Sequence, residues 1–329
     1  MKIFRSLAEL SADRPAKSVA AVGTFDGVHL GHAAVLGEVV RWAGRIGAVP
    51  AAVVFTRPPR VSLPDGTPLD LLTCPEHRLR LIGQLGVGLA LELEFGPELA
   101  GLPAEEFARR YLAEGLAAAG LVMGHDARLG RGGKADFQAM KKIGAGLGFE
   151  VRQAKPVRAG RQVISSSAVR RAIVAGRLDV AECLLGRRVS VLGTVVPGRG
   201  HGRRLGFPTV NLDIHREVRP PMGVYATLAR VEGGAALKSV SNVGFRPTAS
   251  EQGGSGPGLR RDLLVETHLL EGGADLYGRS VEVEFVRKLR DERRFDSDEE
   301  LTEQIARDAE EARQALAGAG LERACPNAE

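Results

Sequence analysis

Gly23-Thr24-Phe25-Asp26-Gly27-Val28-His29-Leu30-Gly31-His32 follows the apolar run Ser18–Gly23 and precedes residues 33–46, where Val35, Val39, Trp42 and Ile46 recur at helical spacing. A strand that feeds a helix through a glycine-bearing turn presents unpaired backbone N–H groups to whatever lies at the helix start, and these groups favour an anion. Gly27 and Gly31 permit close backbone approach or a positive φ. His29 and His32 are three apart, so on one helical turn they share a face and both can donate to one phosphate chain. Two ordinary turn or cap histidines are the bland alternative. It is the better reading for a lone His and the weaker one for two His beside two Gly.

Outward from this turn, strand-like and helix-like segments alternate. Residues 50–55, 89–94, 120–123 and 149–154 read as buried strands, and 75–85, 103–119 and Phe137–Leu147 as helices. That order predicts a doubly wound α/β sheet with ligands outside the carboxyl ends of its strands. Two short helices, 166–175 and Leu178–Leu185, close this half. From Gly186 the texture changes. Val189–Val196, 224–231, 237–243, 263–270 and 280–286 are strand-like with Gly- and Pro-bearing turns and no helices between them, which predicts an antiparallel sheet or small barrel. Ser297 and Glu300 form a capping-box pattern for a last helix with Leu301, Ile305, Ala312 and Leu316 on its apolar face. Residues 250–258 read as a mobile loop and 318–329 as a loose tail. The domains are therefore expected at 1–186 and 187–329.

The 329 residues suit two domains, and their 44% hydrophobic and 26% charged content is that of a globular protein. No apolar run is long enough to span a bilayer, and the N-terminus lacks the h-region of a secretory signal. Cys74, Cys183 and Cys325 are far apart and odd in number, without disulfide or zinc spacing. A cytoplasmic protein with no membrane association is expected. The net charge is +5, and residues 1–186 hold 24 Lys and Arg against 18 Asp and Glu, which suits phosphate-bearing ligands. Aromatics at 5% and interleaved charges argue against nucleic acid as a partner.

A second rich stretch, residues 193–211, carries glycines around Arg199, Arg203 and Arg204 and ends in Gly206-Phe207-Pro208-Thr209-Val210-Asn211. Between Arg187 and Gly206 there are five Arg and no acid, so the loop is electropositive and its amides can cradle phosphates. A flexible inter-strand turn is the alternative on composition alone.

Taken together these segments resemble the bacterial bifunctional riboflavin kinase/FAD synthetases. The first stretch is similar to their G-x-F-D-G-x-H-x-G-H form, and Ile164-Ser165-Ser166-Ser167-Ala168-Val169-Arg170 to I-S-S-T-x-x-R with Ser167 in the Thr position. Gly124-His125-Asp126-Ala127-Arg128-Leu129-Gly130 resembles G-x-[DN]-F-x-F-G but has Ala127 and Leu129 for aromatics, and Phe55-Thr56-Arg57-Pro58-Pro59 departs from F-E-P-H-P. In the second half, 206–211 resembles G-x-P-T-A-N, 223–225 G-V-Y, 242–248 N-x-G-x-R-P-T, and Val265-Glu266-Thr267-His268 the V-E-x-H strand, followed by Leu276-Tyr277-Gly278 and residues 290–295.

The resemblance implies a Rossmann-like nucleotidyltransferase domain and a small antiparallel β-barrel kinase domain with a terminal helix. It implies riboflavin, FMN and ATP as ligands, FMN and FAD as products, and Mg²⁺ on Thr209 and Asn211. It places Glu266 as catalytic base in the kinase, and His29, His32 and Arg170 as catalytic in the adenylyltransferase. Gly23, Phe25, Asp26, Gly27, Gly31, Asp126, Ser165, Ser166, Ser167, Gly198, Gly202, Arg203, Gly206, Pro208, Asn242 and Arg290 are its implied ATP- or flavin-binding residues. From spacing alone, Glu266 is equally an outward-facing strand residue, and the serine run an ordinary N-cap. A kinase with an impaired or retargeted adenylyltransferase is the alternative raised by Arg57, Pro58, Ala127 and Leu129. A non-catalytic flavin sensor and an RNA-binding module are further competitors; the sensor is opposed by the presence of Glu266, Thr209 and both histidines.

Overall fold

The structure, a computed structural model, describes residues 1–57, 70–198, 201–215, 217–232, 234–245, 263–271 and 276–317. Pro58, Pro59, Arg199, Gly200, residues 246–248, the 250–258 loop and the 318–329 tail lie outside them. The chain forms two compact units, the first Met1–Ala168 and the second beginning at Val169.

The first unit contains β1 (Lys2–Phe4), α1 (Leu7–Ser11), β2 (Ser18–Gly23), α2 (Leu30–Ile46), β3 (Val49–Phe55), α3 (Pro75–Gln84), β4 (Leu89–Leu93), α4 (Pro97–Gly101), α5 (Ala104–Phe107), β5 (Ala118–Met123), α6 (Phe137–Leu147) and β6 (Glu150–Gln153). The hairpin of β7 (Arg158–Ala159) and β8 (Gln162–Val163) leads into α7 (Ser166–Val174). Six parallel strands lie in the order β1-β4-β3-β2-β5-β6. Successive side chains of β2 enter opposite cores. Ala20 packs with Phe107, Leu112, Leu121 and Met140, whereas Ala21 packs with Leu36, Val39, Trp42 and Ile82. A strand buried on both faces has no polar alternation, which is why these strands read as continuous apolar runs. The chain winds from β2 through β3 to β4 on one side and returns to β5 on the other, so the order reverses between β2 and β5. Loops leaving their carboxyl ends flank the crevice where such sheets bind ligands.

The second unit continues with α8 (Leu178–Leu185), β9 (Val189–Val196), α9 (His201–Arg204), β10 (Thr209–Asp213), β11 (Gly223–Val231), β12 (Ala236–Phe245), β13 (Leu263–Leu269), β14 (Ser280–Arg290) and α10 (Asp298–Ala317). Six antiparallel strands close into a barrel in the order β10-β13-β12-β11-β14-β9. Val191, Val195, Val243, Val265, Val281 and Val283 are buried in it. Ala312 and Leu316 of α10 cluster with Ala226, Leu228, Val240 and Val286 on the barrel's other face.

One expectation is corrected. Residues 103–119 are not one helix: after α5 the turns widen over Ala108–Gly115, Leu116 N–H bonds Tyr111 C=O at 3.1 Å, and Ala118 already belongs to β5. Pairing of β5 with β2 and β6 overrides the helical preference of its alanines. The short strands β1 and β10 and helix α1 carried no recognised pattern. The division between units falls at Ala168/Val169, ahead of the change of texture at Gly186, because α8 packs on β9 and β14.

Inside the barrel a run of hydroxyls replaces apolar packing. Thr227 Oγ1 lies 2.8 Å from the Oγ atoms of Ser239 and Ser241, and Ser241 Oγ lies 2.8 Å from Thr267 Oγ1, all in fully buried residues. Each hydroxyl is satisfied by the next, so the chain fails if its middle is removed. Ser241→Ala is expected to lower barrel stability by about 1–3 kcal/mol, the cost of a buried polar group losing its partner; urea unfolding of the variant measures it.

Candidate active sites

The turn after β2 is built on strain. Phe25 and Val28 have φ of 52° and 39°, in a region that L side chains, β-branched ones above all, rarely occupy. Gly27 has φ 80°, and a Cβ there would come within 2.6 Å of Leu72. Four hydrogen bonds to distant segments hold this shape. The Asp26 carboxylate accepts from the N–H groups of Leu72 (2.9 Å) and Thr73 (3.2 Å). Gly27 N–H donates to Thr73 Oγ1 at 3.0 Å, and Ser166 Oγ donates to the Asp26 carbonyl at 2.9 Å.

Beneath the turn sits Arg78, a guanidinium with no exposed surface. It donates to the carbonyls of Phe55 (2.7 Å) and Thr73 (2.9 Å) and lies 3.8 Å from Asp26. Neither Arg78 nor Thr73 was singled out in the sequence. The one available signal is the spacing Thr73-Cys74-Pro75, an N-cap and a Pro at the start of a helix, which announces α3 but not a buried charge.

His29 caps α2, its Nδ1 accepting from His32 N–H at 3.3 Å, which leaves the proton of the neutral ring on Nε2 as a donor. The His29 and His32 rings stack at 3.7 Å, and Phe25 meets His32 edge-on at 5.4 Å. His32 Nδ1 is buried without a hydrogen-bond partner. Burial, then the neighbouring His29 and Arg78, hold the His32 pKa well below the ordinary histidine range. The ring is therefore neutral at pH 7.

The structure therefore joins Gly23 at the end of β2, Phe25, Asp26, Gly27, His29, Gly31 and His32 with Ser166. Ser165 Oγ accepts from Ala168 N–H at 3.3 Å, Ser167 follows, and Arg170 stands one turn further along α7. Asp126 is exposed beyond the end of β5, the other strand of the switch point. Leu129 is buried in the core with Phe107 and Met140, and Ala127 packs against the same cluster, so these replacements fill the interior. Arg57 is exposed.

In the barrel, strand register sets the second site. Asn211 of β10 and Asn242 of β12 both pair with Glu266 of β13, so a carboxylate stands between two carboxamides on one face. The flanking residues Val265 and Thr267 are fully buried and Glu266 is half-buried, so this row faces out of the barrel. Gly198 lies against Asn211 so closely that a Cβ would fall 1.9 Å from its Nδ2. At Gly202 a Cβ would come within 3.3 Å of Thr209 Oγ1, and Arg203 and Gly206 lie in the same loop. Asn242 Oδ1 is buried with no hydrogen-bond partner. An orphaned amide oxygen beside a carboxylate, a hydroxyl and a second amide is a set of hard oxygen donors, and these residues fit Mg²⁺ carried with a nucleotide.

Arg290 is not in this row. Its Nε and Nη2 bond Asp308 of α10 at 2.8–3.0 Å, its Nη1 donates to the Asp291 carbonyl, and it stacks on Phe295. It anchors the segment that carries Glu292 against Gly244. Asp308, 3% exposed, was not anticipated from the sequence.

Comparison with known proteins gives the following similarities. A family model described as riboflavin kinase matches residues 185–316, and one described as FAD synthetase matches residues 11–168. A bifunctional riboflavin kinase/FMN adenylyltransferase of Escherichia coli (strain K12) is 37% identical over 316 residues, covering 95% of this chain and 97% of the relative. That of Bacillus subtilis (strain 168) is 34% identical over 305 residues, covering 92% and 94%. The crystal structure of a macrolide-efflux protein from Streptococcus pneumoniae superposes with a TM-score of 0.75 at 26% identity, covering 94% of this chain and 98% of that one.

Two outcomes follow from the first site. Arg78→Met takes the guanidinium from beside the buried Asp26 carboxylate and from the Phe55 and Thr73 carbonyls, and should destabilise the first unit by about 3–5 kcal/mol in urea unfolding. Because folded His32 refuses a proton that the unfolded chain accepts, stability should fall as pH drops below about 6.5 toward the lowered folded value. His32→Gln should flatten that part of the profile, and the difference between the two urea-midpoint curves isolates it from the other histidines.

Proposed function

Since the chain belongs to the family of bifunctional riboflavin kinase/FMN adenylyltransferases, it phosphorylates riboflavin to FMN with ATP and adenylylates FMN to FAD, and we propose how its two sites divide this chemistry. We assign the kinase to residues 187–329 and the adenylyltransferase to 1–186. One observation carries the division. Glu266 stands between Asn211 and Asn242 on the barrel, whereas Asp26 at the other site is taken up by backbone amides and Arg78. An alcohol needs a base to become a nucleophile; a phosphate is already an anion.

In the kinase, Glu266 takes the proton of the ribityl 5′-hydroxyl as its oxygen attacks the γ-phosphorus of ATP and the bond to ADP breaks. The amides of the loop through Gly198, Gly202 and Gly206, with Arg203, hold the phosphates, and Pro208 shapes its exit. Thr209 and Asn211 would hold Mg²⁺, which when bound neutralises charge on the phosphates. Asn242 offers its orphaned oxygen at the same place, and Arg290 keeps the 291–295 segment over it.

In the adenylyltransferase, a phosphate oxygen of FMN attacks the α-phosphorus of a second ATP and pyrophosphate leaves. The Nε2–H of His29, the ring of His32, the N–H groups at the start of α7 with Ser165, Ser166 and Ser167, and Arg170 stabilise the transferring and leaving phosphates. Gly23, Gly27 and Gly31 keep the turn backbone close to them, with Phe25 and Asp26 as its support. Asp126 lies at the crevice mouth as a flavin or nucleotide contact. An impaired adenylyltransferase is not favoured, since the FAD synthetase match spans residues 11–168. Both steps draw on cytosolic ATP, and no nucleic acid or membrane takes part. Among the described residues no helix is long and apolar enough to cross a membrane.

Chromatography of products from riboflavin, ATP and Mg²⁺ tests the assignment. Glu266→Gln should slow FMN formation by roughly 10²–10⁴-fold while FAD formation from supplied FMN persists. His32→Ala should do the reverse. Equal loss of both activities in either variant would refute separate sites.

A further inference from the structure

We propose that His268 is a positioning residue of the kinase: its ring locks the exit of the glycine loop to β13, so that the loop's amides keep fixed positions relative to Asn211 and Glu266. The proposal rests on the kinase assignment above. His268 lies two residues after Glu266, hence on the same outward face of β13, and pairs directly with Thr209. Its Nδ1 lies 2.9 Å from the Pro208 carbonyl. A carbonyl only accepts, so the ring donates from Nδ1. Phe207 meets the same ring edge-on at 5.5 Å.

The geometry of the loop explains why this anchor matters. Leu205 N–H bonds the carbonyls of His201 and Gly202, and Phe207 N–H bonds Gly202 C=O at 2.8 Å. Residues 201–207 are thus folded on themselves, and a Cβ on Gly202 would fall 2.5 Å from the Phe207 carbonyl. Such a closed turn moves as a unit about the point where it joins the strand. That point is Pro208, which has no N–H with which to extend the ladder between β10 and β13. The His268 ring supplies the missing cross-strand bond there, through the carbonyl. Without it the loop would remain folded but would present its amides at variable positions relative to Asn211.

The expected consequence is weaker capture of the nucleotide with the chemical step spared. His268→Ala should raise KM for MgATP in FMN formation about three- to tenfold, the worth of one neutral hydrogen bond, with kcat little changed. An Asn amide nitrogen occupies the place of Nδ1, whereas a Gln amide reaches toward that of Nε2. His268→Asn should therefore restore KM to within about twofold, and His268→Gln should behave like the Ala variant. FAD formation from FMN should be unaffected in all three. Independently of activity, ¹⁵N NMR of histidine-labelled full-length protein, assigned by difference with His268→Asn, should show His268 protonated on Nδ1. An Nε2–H tautomer, equal KM values for the Asn and Gln variants, a wild-type KM in the Ala variant, or a loss confined to kcat would each overturn the proposal. Failure of the wild-type protein to make FMN would instead overturn the kinase assignment, so the two are told apart.

Discussion

A guanidinium sealed from water must find its partners inside the protein, and Arg78 ties together three segments far apart in sequence. It binds the carbonyl at the end of β3, the carbonyl before α3 and, more distantly, the carboxylate of the turn after β2. Removing a cation and a carboxylate from water is costly unless the geometry is good and other hydrogen bonds complete it. Here Leu72 and Thr73 supply those bonds to Asp26. The strained φ angles at Phe25 and Val28, each costing of order 1–3 kcal/mol, persist because this clamp over-determines the turn. Two stacked histidines follow at the mouth of α2. The same buried cation that holds the turn also helps keep His32 neutral.

The barrel reaches a comparable result by different means. Its site needs no buried cation, because the register of three neighbouring strands places Asn211, Glu266 and Asn242 side by side. In the proposed kinase, what must be controlled is the loop assigned to the phosphates. The close contact of Gly198 with Asn211, the folding of Phe207 onto Gly202 and the bond from His268 to Pro208 all act on it. On the far side Arg290 and Asp308 fix the segment bearing Glu292. Within the barrel, the hydroxyl chain from Thr227 to Thr267 ends on the residue that separates Glu266 from His268. In the proposed assignment, the carboxylate that deprotonates an alcohol thus sits on rigid strands, while the donors assigned to phosphate charge sit on a turn and two helix starts.

Much of this was legible in advance for simple reasons. Strands buried on both faces leave unbroken apolar runs, so β2, β3, β4 and β5 were readable, as were the faces of α2 and α6. Ser297 does accept from Glu300 N–H at 3.1 Å, as its capping pattern implied, although the Glu300 carboxylate reaches Asp296 N–H instead of that of Ser297. Short elements escaped. Thr209–Asp213 is too brief to show alternation, and its strand character comes from β9 and β13 on either side. The alanines of β5 favour a helix locally and become a strand only between β2 and β6.

By itself the sequence determined the two fold classes, the order of the glycine-bearing turns and the residue types gathered at each site, since local pattern and motif spacing are properties of neighbours along the chain. Only the tertiary structure decided which of those residues are bonded into the scaffold. Asp26 accepts from backbone amides and Arg290 pairs with Asp308, and Arg78, Thr73, His268 and Asp308 gained their contacts from partners up to dozens of residues away. Charge pairing, desolvation and strand register depend on distances through space, and no one-dimensional spacing encodes them.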